Sequence, residues 1–185
     1  MSHLETERKY LAIPGKWKTP GLVGIRLSQA YLFASFDPPR SVRIRICDDQ
    51  ATLCLKTAVS ALSRYEWEYR IPLSDARELF DSTAPTHRIE KVRYTFVDSA
   101  TTWQIDEFCG SNSGLVVAEA EAPPESDEHW SPPRPSWLGT EVSRVKRYLN
   151  ELLALHPYSS WPPEHWTRTD GSVEDCRPDW PTRVS

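Results

Sequence analysis

Leu4-Glu5-Thr6-Glu7-Arg8-Lys9-Tyr10-Leu11-Ala12 is the stretch whose reading decides the architecture. In an extended chain successive side chains point to opposite faces, so Glu5, Glu7 and Lys9 share one side, opposite Leu4 and Arg8. The same alternation recurs downstream. Arg43 and Arg45 oppose Val42, Ile44 and Ile46, and Lys56 sits between Leu55 and Thr57. Glu66, Glu68 and Arg70 oppose Trp67, Tyr69 and Ile71. Lys91 and Arg93 oppose Val92, Tyr94 and Phe96, and Asp106 shares a face with Gln104 and Phe108, opposite Trp103 and Ile105. Glu119 and Glu121 alternate with Ala118 and Ala120.

Working outward, this pattern predicts strands over 4–12, 25–33, 41–47, 51–57, 65–71, 89–97, 101–108 and 115–122. Turn-rich pieces separate them: Asp37-Pro38-Pro39, Asp48-Asp49-Gln50, Val97-Asp98-Ser99 and Gly110 to Gly114. Two helices are expected. Ser74 would cap a short one running to Phe80. The other would run from Thr140 to His156, with Val142, Val145, Leu149, Leu152 and Leu153 at helical spacing. The segment Pro123–Pro135 reads as an exposed loop. From residue 157 to 185 the chain is rich in Pro and Trp and reads as a tail, partly packed by Trp161 and Trp166. The expectation is one domain over 1–156, mainly β (α+β), in which an antiparallel sheet or barrel carries peripheral helices.

A sheet with a solvated outer face would show such alternation too. Here, however, the charges come as same-sign pairs, and like charges side by side repel unless something of opposite sign needs them. A closed, water-filled barrel with acids and bases inside accounts for both observations. Arginine and lysine are natural partners of phosphate oxygens, and clustered carboxylates suit hard divalent ions such as Mg²⁺ or Mn²⁺. Together they point to metal-dependent phosphoryl chemistry on a polyanion.

The remaining composition bounds the alternatives. The chain has 185 residues, a formal net charge of −4 and 26% charged residues, an ordinary balance that gives no support to bulk nucleic-acid binding. Met1 to Ile13 carries charge where a signal peptide needs an apolar core, and no window approaches the roughly 18 apolar residues of a membrane helix. A soluble, cytoplasmic protein without membrane partners is therefore expected. Cys47, Cys54, Cys109 and Cys176 show neither C-x-x-C nor Cys/His clustering, which excludes a zinc ribbon or disulfide scaffold and leaves buried thiols. There is no Walker loop and no nucleophile elbow.

The motif Glu5-Thr6-Glu7-Arg8-Lys9 resembles the E-x-E-x-K signature of the CYTH family, the triphosphate tunnel metalloenzymes. The resemblance continues in the family's order over about residues 4–150, through Val42-Arg43-Ile44-Arg45, Arg64-Tyr65-Glu66-Trp67-Glu68, Glu90-Lys91-Val92-Arg93, Asp106-Glu107 and Ala118-Glu119-Ala120-Glu121 to Arg144-Val145-Lys146. It is strongest to the compact bacterial members. It implies an eight-stranded antiparallel closed barrel forming a charged tunnel, acting on inorganic triphosphate. Thiamine triphosphatase, adenylate cyclase and a non-catalytic polyphosphate-binding module are its alternatives. By resemblance, Glu5, Glu7, Glu119, Glu121 and Asp106 hold the Mg²⁺ or Mn²⁺ ion. Lys9, Arg43, Arg45, Lys56, Lys91, Arg93 and Lys146 bind the triphosphate, with Lys146 entering from a helix. Glu66 and Glu68 bind a second ion or orient water, so that Glu5, Glu7, Lys9, Glu66, Glu68 and Lys91 carry the catalysis. A homodimer is expected on the same basis. Ala118 and Ala120 are smaller than the residues typical of relatives, and the chain beyond Leu155 has no counterpart among the compact members.

Overall fold

The computed structural model describes residues 3–124, 126–127 and 129–162. The described residues form nine strands: β1 (Leu4–Ala12), β2 (Gly24–Phe36), β3 (Pro39–Cys47), β4 (Gln50–Ala58), β5 (Ser63–Arg70), β6 (Arg88–Asp98), β7 (Thr101–Phe108), β8 (Val116–Glu121) and β9 (Leu138–Glu141). Helix α1 (Leu73–Ser82) lies between β5 and β6, and a six-residue helix α2 (Asn150–Leu155) follows β9. The sheet order is β5-β4-β3-β2-β6-β7-β8-β1-β9, and β5 also pairs with β1. Eight strands therefore close into a ring, with β9 attached to β1 outside it. The closing pairs are Leu4↔Tyr65, Glu5↔Arg64 and Thr6↔Ser63, all antiparallel. No described helix is long and apolar enough to cross a membrane.

The charged faces point into the ring, and the apolar faces pack outside it. On one flank Tyr10, Trp17, Trp103, Ile105, Ala118, Ala120 and Trp137 form a buried cluster. The two small alanines explain themselves here. Trp103 lies directly opposite Ala120 across the β7–β8 ladder, and Tyr10 directly opposite Ala118 across β1–β8. The Tyr10 and Trp103 rings meet edge-on at 6.0 Å over these positions, where bulkier residues would overpack. On another flank α1 covers Ala30, Ile44 and Ala51 through its one buried residue, Ala76. Its N-terminus is at Leu73, after Pro72, without a side-chain cap, so Ser74 does not cap it.

The C-terminal helix expected from Thr140 does not form as such. Leu138–Glu141 is strand β9, Lys146–Tyr148 is a 3-10 turn, and only Asn150–Leu155 is α-helical. The free edge of β1 is the cause. The Val142 N–H donates to the Lys9 carbonyl at 2.8 Å, and the Lys9 N–H donates to Ser143 Oγ at 3.0 Å, which holds the segment extended. Lys146 thus sits on a 3-10 turn and not on a helix. Packing continues past residue 156: Tyr158 and Trp161 are buried with Leu115, Tyr148 and Leu153. Trp166 falls outside the described residues.

The β6–β7 hairpin turns on Ser99 and Ala100, with φ of 51° and 61° between the paired residues Asp98 and Thr101. Both occupy the left-handed region that suits Asn-Gly, at a cost of about 1–2 kcal/mol for each ordinary residue. A Ser99→Asn/Ala100→Gly protein is expected to gain about 1 kcal/mol of stability, visible as a higher urea midpoint with an unchanged slope.

Candidate active site

The ring encloses a cavity of about 300 Å³. Alternation brings Glu5, Glu7 and Lys9 into it from β1, Arg43 and Arg45 from β3, Lys56 from β4, and Glu66 and Glu68 from β5. Arg93 arrives from β6, Gln104 from β7, and Glu119 and Glu121 from β8. The entry to α2 closes part of the wall with Leu149, Asn150 and Glu151. Tyr31 of β2 is also a wall residue.

Two ion-pair networks run along this lining. In the first, Lys56 Nζ donates to Glu66 Oε2 at 2.6 Å and lies 3.6 Å from Glu5. Arg43 Nη2 is 3.5 Å from Glu66 Oε1, and Cys54 Sγ donates to the same oxygen at 2.7 Å. Burial, reinforced by the hydrogen bond with Glu66, pushes the Glu5 carboxyl up to about 7. Burial acts the same way on Glu66, yet its hydrogen bond with Glu5 and the charges of Lys56 and Arg43 hold it well below the carboxylate range. The two neighbouring carboxyls are thus pushed in opposite directions, Glu5 upward and Glu66 downward.

In the second network, Lys9 bridges Glu119 and Glu7, the latter at 2.8 Å. Arg93 donates from Nη2 to Glu119 Oε2 at 3.0 Å and grips Asp106 with two bonds, Nε to Oδ1 at 2.7 Å and Nη2 to Oδ2 at 2.6 Å. Its Nη1 donates to Gln104. Burial would raise Glu119, but Lys9, Arg93 and Lys91 outweigh it and hold the carboxyl well below its ordinary value. Arg64 joins the two networks by contacting both Glu7 and Glu5.

The expected site residues separate by depth. Lys91 and Asp106 do not reach the cavity: both are fully buried, and Lys91 donates to Asp106 Oδ2. Burial alone would raise Asp106, but Lys91 and Arg93 hold it ionised below its ordinary value. Both Asp106 oxygens are taken by cations, and the residue lies one layer behind the tunnel wall. Lys146 lies outside the tunnel, on a neighbouring cavity. Arg64 lies one residue before the strand start that the sequence pattern suggests, yet two residues before Glu66 and so on the same face of β5. Glu151 carried no signal, since the longer helix expected there gave it no particular direction.

The lining holds seven acids (Glu5, Glu7, Glu66, Glu68, Glu119, Glu121, Glu151) and six bases (Lys9, Arg43, Arg45, Lys56, Arg64, Arg93). A near-neutral wall of this kind takes up a polyanion only if extra positive charge comes with it. Its carboxylate donors suit a hard divalent cation. Among the described residues, the metal-donor atoms within 4.8 Å of one another belong to Cys54, Glu66 and Glu68. Glu5, Glu7, Glu119 and Glu121 share the tunnel without converging that closely, and Glu121 makes no ion pair among the described residues.

A closed antiparallel ring lined in this way is a triphosphate tunnel. No family model matches the chain, but an inorganic triphosphatase of Acetivibrio thermocellus is 38% identical to it over 157 residues, 85% of this chain and 97% of that protein. The chain belongs to the CYTH family of triphosphate tunnel metalloenzymes. Within that family it is also similar to an inorganic triphosphatase of Nitrosomonas europaea, 33% identical over 154 residues and covering 82% and 97% of the two chains. The crystal structure of an inorganic triphosphatase superposes with a TM-score of 0.59 at 29% identity, over 82% of this chain and 94% of that one.

Proposed function

We propose that the chain hydrolyses inorganic triphosphate to pyrophosphate and orthophosphate with Mg²⁺ or Mn²⁺. The observation that carries this reading is the tunnel lining itself, six cations interleaved with seven carboxylates in one enclosed cavity. Glu5, Glu7, Glu119 and Glu121 would hold the principal ion, with Glu66 and Glu68 on the adjoining strand β5 for a second ion or for water. When bound, a divalent cation supplies charge neutralisation and polarisation of a phosphoryl oxygen or a water. Lys9, Arg43, Arg45, Lys56 and Arg93 would bind the phosphoryl oxygens, whose charge they stabilise as it develops. Lys91 and Asp106 would act from behind by fixing Arg93. Glu66, held ionised, is an acceptor ready to orient water. A non-catalytic polyphosphate-binding module fits less well, because its surplus acids would only oppose the ligand.

The test is phosphate release from inorganic triphosphate, pyrophosphate, thiamine triphosphate and ATP, with Mg²⁺, with Mn²⁺, and after chelation. Turnover should concentrate on inorganic triphosphate, fall to background in chelator, and be lost in a Glu5→Gln/Glu7→Gln protein. Preference for thiamine triphosphate or ATP would change the substrate. Tight triphosphate binding without metal-dependent turnover would overturn the enzymatic reading.

A further inference from the structure

A second cavity, of about 150 Å³, adjoins the tunnel. It lies at the seam of the ring. Along one edge of β1 the backbone partner changes: the Glu7 N–H donates to the Leu62 carbonyl at the start of β5, whereas Lys9 bonds to Val142 and Ser143 just after β9. The cavity is lined from both sides of this change, by Leu62 and Arg64 on one and Ser143 and Arg144 on the other. It shares Lys9, Lys56 and Arg64 with the tunnel.

Its charge differs from that of the tunnel. Arg40, Arg144 and Lys146 join the three shared cations here, against only two acids, Glu7 and Glu151. Arg40, Arg144 and Lys146 are exposed and make no ion pair or side-chain hydrogen bond among the described residues. In the tunnel, by contrast, each of Lys9, Lys56 and Arg64 is already held by carboxylates. Pro39, Ala58, Leu62 and Leu149 contribute apolar wall between these cations. An anion in the near-neutral tunnel therefore meets a more positive field at the seam.

We propose that this seam cavity binds inorganic phosphate and is the route by which the orthophosphate product leaves the tunnel. The product assignment rests on the triphosphatase reading, whereas the binding site rests on the cavity and its three uncommitted cations. Lys146 finds its place here, as part of the exit rather than of the clamp around the triphosphate.

Orthophosphate binding followed by ³¹P line width, without added metal, tests the site directly. It is measured on the native protein, on Arg40→Ala/Arg144→Ala, and on Arg43→Ala/Arg45→Ala, which alters the tunnel and leaves the seam intact. Removing the two rim arginines should weaken phosphate binding about tenfold, since each can offer charge-assisted hydrogen bonds. The tunnel variant should retain that binding. Inhibition of triphosphate turnover by added phosphate should weaken in parallel with the rim substitutions. Native-like phosphate affinity in the rim variant, or loss of binding in the tunnel variant alone, would overturn the proposal. Rim-dependent phosphate binding in a protein without turnover would retain the site and reject the triphosphatase reading. Normal turnover with a silent rim would do the reverse.

Discussion

An Asp106→Asn protein will lose roughly 3–5 kcal/mol of folding stability, because removing one partner of a buried ion pair leaves the other uncompensated. Asparagine keeps the volume and removes only the charge. Lys91, fully buried, then has no counter-ion at its ammonium, and Arg93 loses its two-point grip. Against a typical total of about 5–15 kcal/mol this is a large share, and urea denaturation will show it as a lower midpoint. Activity on inorganic triphosphate will fall by about two orders of magnitude, the scale of a misplaced group at a reacting centre, because Arg93 also holds Glu119. A Lys91→Met/Asp106→Leu protein separates the two effects. Replacing the whole buried pair with apolar groups restores most of the stability, but Arg93 remains unsupported and activity stays low. Were Asp106 an ion ligand instead, asparagine would raise the metal concentration needed for half-maximal activity and leave the urea midpoint near that of the native protein.

The same residues show what alternation can and cannot reveal. Period-two reading places Lys91 with Arg93, and Asp106 with Gln104, on the inner face, and the structure agrees on the face. It carries no information on depth. Arg93 and Gln104 line the cavity, while Lys91 and Asp106 on the same strands are covered. Depth depends on which strands are neighbours and on the register between them, such as Arg93 opposite Asp106 and Lys91 opposite Phe108. Closure of the ring was legible in the same-sign charge pairs and in the family motif, but the three pairs that join β1 to β5 leave no local pattern of their own. At the C-terminal end local spacing misled. Val142, Val145 and Leu149 have helical periodicity, but Val142 is buried against β1, Val145 is exposed at 40%, and Leu149 faces the tunnel. The unpaired edge of β1 offered backbone hydrogen bonds that outweighed a weak helical preference.

Arg43 and Arg93 look equivalent in sequence, each an inward arginine on a central strand, and the structure separates their work. Arg93 already spends four hydrogen bonds on Asp106, Gln104 and Glu119. Arg43 is 94% covered, yet its contacts are loose, 3.4 Å to Gln29 and 3.5 Å to Glu66, and its Nε has no hydrogen-bond partner among the described residues. The hydroxyl of Tyr31, on the facing residue of β2, lies beside the guanidinium, but among the described residues it makes no well-aligned hydrogen bond. Buried donors without acceptors are costly unless a ligand supplies them, which makes Arg43 the arginine with hydrogen bonds to give to a phosphoryl group. Arg43→Ala will therefore lower kcat/KM for inorganic triphosphate by about 10²–10³-fold, the range for removing one preorganised donor at a developing charge. Arg43→Lys will recover little, since a point charge cannot reproduce a planar fork. Stability will change far less than in Asp106→Asn, because Glu66 keeps Lys56 and Cys54 as partners. Steady-state kinetics alongside urea denaturation decides the matter. A protein with native kcat/KM but a markedly lowered midpoint would make Arg43 a structural cation and leave the phosphoryl group to other residues.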